Sequence, residues 1–99
     1  MRVPDGTYAL RRAGGLLPPL ARVRKEVAGG AGATVVAGRV RLPFTLEDAG
    51  DHVLLRYRRP LGVLRDRLRP APGGGWDGEA TIAGRRYGRF GMTRMETPE

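Results

Sequence analysis

The chain has 99 residues, with one lysine and seventeen arginines against ten acidic residues, a formal net charge of +8, and no cysteine, serine, asparagine or glutamine. That composition excludes a Ser or Cys nucleophile and a thiolate zinc site, and the single His52 is too little for a histidine metal centre. The length fits one domain over residues 1–99, which at this size hides only about two-thirds of its unfolded surface.

In chain order, short period-two segments alternate with glycine and proline punctuation. After an Asp5-Gly6 turn, residues 7–12 place Tyr8 and Leu10 on one face. Residues 20–28 fit two readings. Pro18-Pro19 before them and Gly29-Gly30 after them resemble helix ends, and Leu20, Val23 and Val27 recur at helical spacing. As a strand, the same residues turn Ala21, Val23, Lys25 and Val27 inward, with Arg22, Arg24 and Glu26 outward. The surrounding meander favours the strand.

Residues 33–42 put Thr34, Val36, Val40 and Leu42 on one face with Arg39 and Arg41 opposite; Phe44 and Leu46 keep that parity past Pro43. Glu47-Asp48-Ala49-Gly50-Asp51 is a turn cluster. Residues 52–58 turn Val53, Leu55 and Tyr57 inward, and Arg56 and Arg58 outward. Residues 61–69 carry Leu61, Leu64 and Leu68 at helical spacing before Pro70, which predicts a two-turn helix. Beyond Gly73-Gly74-Gly75, one strand groups Trp76, Gly78, Ala80 and Ile82. A second groups Gly88, Phe90 and Met92, and Gly84-Arg85 connects them. The tail from Glu96 is expected to fray.

The expected fold is all-β and mainly antiparallel: a six- to seven-stranded meander curled into a small barrel or half-barrel, with one short helix. Closure hides sheet edges, and glycines within strands (Gly38, Gly78, Gly88, Gly91) suit strong curvature.

Two groups of residues could carry function. The inward face supplies Tyr8, Lys25, Tyr57, Trp76 and Phe90, aromatic and polar-tipped side chains that could line a ligand pocket or simply form the core. Lys25 stands out as the only lysine. An inward ammonium could meet an acidic ligand or, with a depressed pKa, attack a carbonyl; on an edge or a helix it would be solvated. The outward arginines Arg22, Arg24, Arg39, Arg41, Arg56 and Arg58 form the second group, inviting phosphate, acidic lipid or an acidic protein. Stacking aromatics are not interleaved with them, so any nucleic-acid binding would run through the backbone and be sensitive to salt.

His52 reads as a solvated turn residue, and Asp77 and Glu79 as offsets to neighbouring arginines. The stretch GGGWDG at residues 73–78 lacks the Gly-Lys-Ser/Thr of a phosphate loop. No metal or cofactor is implied. No membrane helix or signal peptide is read, and the absence of cysteine fits a reducing cytoplasm.

Gly6-Thr7-Tyr8 is similar to the Gly-x-Trp that opens the first strand of lipocalins, and Arg94 to the late arginine that packs across that aromatic. Gly-Leu-Leu-Pro-Pro at 15–19, Asp66-x-Leu68-Arg69-Pro70, Gly-Trp-x-Gly at 75–78 and Gly88-Arg89-Phe90-Gly91-Met92 also resemble small bacterial proteins of this calycin type. Tyr8 replaces the tryptophan, and no Thr-Asp-Tyr-like motif follows. The resemblance implies a barrel and the binding of a hydrophobic or weakly acidic small molecule, with no catalytic residue carried over. Three expectations follow: a non-enzymatic small-molecule binder, an arginine-faced module for nucleic acid or another polyanion, or a protein–protein interaction module with a filled core.

Overall fold

The computed structural model describes residues 1–95; the expected frayed tail at 96–99 lies outside the described residues. Eight strands follow one another: β1 (Gly6–Gly15), β2 (Val23–Ala28), β3 (Ala31–Val36), β4 (Val40–Asp48), β5 (Val53–Tyr57), β6 (Leu64–Pro70), β7 (Trp76–Ile82) and β8 (Arg85–Arg94). Each pairs antiparallel with the next, and β8 returns to β1 to close the barrel. Tyr8 and Arg94 are cross-strand partners at that seam.

The all-β antiparallel expectation holds, with eight strands in place of six or seven. The predicted helix over residues 61–69 is absent; among the described residues there is no helix at all. Residues 58–63 form turns, closed by Leu61 N–H to Arg58 O and Leu64 N–H to Leu61 O, and β6 follows. The leucine spacing is compatible with both periods. A two-turn helix has little intrinsic stability, whereas β6 gains a ladder on each side, with β5 and β7. Asp66 therefore points into the barrel between Leu64 and Leu68, while Arg65, Arg67 and Arg69 point out. Of residues 20–28, which fit two readings, 23–28 form the strand β2 and the residues before them belong to the loop that leads into it.

Three apolar residues assigned inward lie outside: Ala21, in the loop before β2, Ile82 and Val40. Ile82 is exposed where β7 ends at the rim, still paired with Leu64 of β6, and Thr81 beside it is buried with its hydroxyl donated to Arg65 O. Val40 is exposed at the start of β4, beyond the enclosed part of the barrel.

Three tight connections set the hairpin registers. Gly29 and Gly30 both have positive φ (60° and 76°), the twist-matched turn for a two-residue hairpin. The β3–β4 and β7–β8 turns use Ala37-Gly38 and Ala83-Gly84, so an alanine occupies the left-handed region in each (φ 53° and 49°).

One end, here the lower, carries the Gly29-Gly30 turn, loops 49–52 and 71–75, and the N-terminal segment. Val3 plugs it with 1% exposure, while the Tyr8 hydroxyl donates to Pro4 O and Gly29 N–H to Asp5 Oδ1. The upper end carries loops 16–22 and 58–63 and the two alanine-glycine turns. Leu17 and Leu20 pack down on the core from there.

Between the ends the barrel is filled by its own side chains. Eight strands leave room for packed side chains or one small ligand. Here a Cβ on Gly78 would enter the Phe90 ring, and one on Gly88 would enter Leu17. Glycine at both positions lets those larger groups lie against the wall.

Candidate functional site

Period-two alternation in β2 brings Lys25 inward, where five other strands contribute to its surroundings. Its Nζ donates to Thr34 Oγ1 on β3 at 2.7 Å and to Tyr57 Oη on β5 at 2.8 Å, and stands 3.3 Å from Asp66 Oδ2 on β6. Thr34 Oγ1 and Tyr57 Oη are themselves 2.7 Å apart. An ammonium has three donors, and three oxygens meet it here. The rings of Phe44, Tyr57 and Phe90 surround the same nitrogen at 5.5, 5.3 and 5.6 Å from their centroids, close enough for cation–π attraction.

Lys25 is 2% exposed and Asp66 5%, so both charges are removed from water. Burial alone would lower the Lys25 pKa. The Asp66 charge, with Tyr57, outweighs it and holds the ammonium above its usual value. Burial pushes the Asp66 carboxyl up against the pull of Lys25. The geometry favours the charged pair, because three acceptors converge on Nζ. A lysine held protonated is no nucleophile, since carbonyl attack needs the depressed pKa that is absent here.

The remaining interior candidates lie at different heights. Trp76 is buried at the start of β7, beside its cross-strand partner Met92 near the lower end. Phe90 rests on Gly78, and Tyr8 is tied to Pro4. Tyr57 is half-buried toward the upper end, edge-on to Phe44 with centroids 6.0 Å apart. Lys25, Tyr57 and Phe90 are thus brought together, while Trp76 and Tyr8 are held by other partners. Asp66, the partner of Lys25, was hidden by the helical reading of its segment. The alternation Leu64, Asp66, Leu68 was the available signal.

On the outside, the six arginines of the sequence reading divide. Glu26 sits between Arg24 (3.4 Å) and Arg41 (2.6 Å), and Glu47 is 3.5 Å from Arg56, so these three are largely offset. Arg22, Arg39 and Arg58 are exposed at the upper end and pair with no carboxylate among the described residues. Arg59, Arg85 and Arg86 join them there, equally exposed and equally without a carboxylate. The exposed acids Asp5, Glu47, Asp48, Asp51 and Asp77 all lie toward the lower end. Glu26 and Glu79 sit at mid-height, each holding arginine. The barrel is electrically polarised along its axis.

A strip of outward arginines continues down β6. Arg65, Arg67 and Arg69 border a shallow groove of about 350 Å³ that reaches from His52 to Gly84. His52 Nδ1 contacts Asp51 Oδ1 at 2.6 Å, and Arg69 donates to Glu79 at 3.2 Å. Reading β6 as a helix hid this strip as it hid Asp66. No helix among the described residues is long and apolar enough to cross a membrane. Comparison with known proteins finds no match to a protein family, a curated protein or a solved structure.

Proposed function

We propose that this chain is a binding module for a polyanionic partner, engaged through the upper end of the barrel. The observation that carries the reading is the axial segregation of charge among the described residues: six exposed arginines without carboxylate partners there at one end, and the exposed acids toward the other. A concentrated field of one sign speeds and orients encounters with an oppositely charged surface, in a salt-dependent way.

The interior is the weaker candidate. The ammonium of Lys25 already has an acceptor for each donor, and the rings of Phe44 and Phe90 occupy the space around it. The likeness to lipocalins is supported by the barrel and by the Tyr8–Arg94 pairing at its seam, with the Arg94 side chain lying against Gly6. A hydrophobic ligand would have to displace Leu17 and Leu20 from the upper mouth to enter.

Retention on the sulfated polysaccharide heparin tests the proposal. The affinity should fall linearly in log–log form as salt rises. Arg58→Ala/Arg59→Ala and Arg85→Ala/Arg86→Ala should weaken it, whereas Arg24→Ala/Arg41→Ala, whose guanidinium groups Glu26 holds, should change it little. Equal losses from all three pairs would remove the case for the upper end.

A further inference from the structure

The upper end presents more than charge. Of the exposed large apolar side chains, four lie there, one at each of its four connections. Leu16 (86% exposed) opens loop 16–22, and Val40 (52%) follows the Ala37-Gly38 turn. Val63 (56%) sits in loop 58–63, and Ile82 (47%) precedes the Ala83-Gly84 turn. Val63 and Ile82 adjoin, because Ala83 N–H donates to Val63 O at 2.9 Å. Leu16 is fixed to the wall by its N–H to Tyr87 O at 2.8 Å. Each apolar tip has an exposed arginine on its own connection or at the adjoining strand start: Arg22, Arg39, Arg58 and Arg85.

This pattern distinguishes among anionic partners. A nucleic acid or sulfated polysaccharide offers phosphates or sulfates, but no apolar layer behind them for four aliphatic tips to enter. An anionic bilayer offers both in the right order: headgroup charge at the surface, then acyl chain a few ångströms below. Isolated exposed aliphatics need no explanation, but one per connection around a single basic rim is a surface arrangement. The lower end also exposes Met1 and Met95, but the acids Asp5, Asp48 and Asp51 accompany them.

We infer that the barrel docks by its upper end on an anionic lipid surface, with Leu16, Val40, Val63 and Ile82 entering the interface and the rim arginines meeting headgroups. The inference rests on the polyanion reading and names its partner. The barrel stands on the bilayer rather than crossing it. Arg24, Arg41, Arg56, Arg67 and Arg89 face outward around its waist, the reverse of the apolar band of a lipid-spanning barrel.

The test is co-sedimentation of the full chain with vesicles of phosphatidylglycerol and phosphatidylcholine, with phosphatidylcholine vesicles and heparin as parallel probes. Binding should require phosphatidylglycerol and weaken about fivefold for each of Arg58 and Arg59 replaced by alanine. Leu16→Ser and Val63→Ser, at exposed positions that folding tolerates, leave the charge unchanged and should each weaken vesicle binding about tenfold. Heparin retention should change far less. Because the chain has no cysteine, Val63→Cys and Asp51→Cys can carry one environment-sensitive fluorophore each. The label at 63 should shift to the blue on vesicles and the label at 51 should not. Heparin retention without vesicle binding, or vesicle binding indifferent to Leu16→Ser and Val63→Ser, overturns the lipid assignment while the polyanion reading stands. Failure on both probes overturns both.

Discussion

Lys25 and Asp66 face each other across the barrel interior, Nζ to Oδ2 at 3.3 Å, from strands β2 and β6 that are not neighbours in the sheet. The pair spans the lumen, and removing either partner leaves the other in an apolar enclosure. Each survivor can relieve the burial only by changing its protonation: Asp66 by taking up a proton, toward which burial pushes it, and Lys25 by losing one, because the charge of Asp66 is the chief cause that holds it up. Asp66→Asn and Lys25→Met should each destabilise by about 3–5 kcal/mol, a large part of the stability of a small domain. The double variant Lys25→Met/Asp66→Leu should recover most of the loss, since an apolar pair avoids desolvating two ions. Urea unfolding of the three variants checks this. A double variant as unstable as either single one would contradict the coupling of the pair.

The same network sets a pH limit. Burial raises the pKa of Tyr87, with Asp66 and Tyr57 adding to it, and burial raises that of Tyr8 against the opposing charge of Arg94. Lys25 is also raised. All three hold their protons more tightly in the folded chain than in the unfolded one, whose ordinary values are 10.0 for tyrosine and 10.5 for lysine. Their contribution is complete below those values and is lost as pH climbs through the folded ones. Stability should decline above about pH 10. Lys25→Met and Tyr87→Phe should each flatten that decline in melting curves recorded from neutral to alkaline pH. A decline unchanged in both would place its origin elsewhere.

The outline of this barrel was legible because most of its strands alternate cleanly. Tyr8 and Leu10, Val53 and Leu55, and Phe90 and Met92 each mark an inward face, and all but the half-buried Leu10 are fully enclosed. What misled was local. In β6 an acidic residue occupies an inward position, so Leu64-Asp66-Leu68 does not look like a buried face unless a partner is known to await it. That partner, Lys25, is forty-one positions earlier and belongs to a strand with its own ambiguity. Nothing in the composition marks where β7 leaves the enclosed part of the barrel, and Ile82, still paired with Leu64, lies exposed at that rim. The axial sorting of charge was invisible for another reason: it depends on which strand ends meet, and a misread segment removes two strand ends at once.

The two alanines in the left-handed region mark places where local preference yields to the hairpin. Each costs roughly 1–2 kcal/mol relative to the right-handed conformation, and asparagine tolerates that region better. Both Ala37 and Ala83 are exposed, so nothing opposes the exchange. Ala83→Asn should stabilise by about 0.5–1 kcal/mol, raising Tm by roughly 2–8 °C in a domain this size. Differential scanning calorimetry of Ala37→Asn, Ala83→Asn and the double variant should show near-additive gains, because the turns belong to separate hairpins. A loss of stability in either single variant would mean that the backbone at that turn is set by something other than its φ.

Gly78 and Phe90 supply the sharpest steric test. They are cross-strand partners on β7 and β8, and the ring of Phe90 lies where a Cβ on Gly78 would be. A methyl group there cannot be absorbed by the backbone of a closed barrel without moving the ring. Phe90 is also one of the three rings around the Lys25 ammonium, so its displacement would disturb the ion pair as well. Gly78→Ala should destabilise by about 1–3 kcal/mol, in the range of other overpacked cores. Phe90→Leu alone should also destabilise, through lost volume and a lost cation–π contact. Combined, the two should cost less than their sum, since the smaller side chain vacates the space the methyl needs. A double-mutant cycle in urea should give a coupling of about 0.5–3 kcal/mol in that direction. Simple additivity would mean that the ring and the glycine do not share the space assigned to them, and that the interior around Lys25 is looser than its contacts imply.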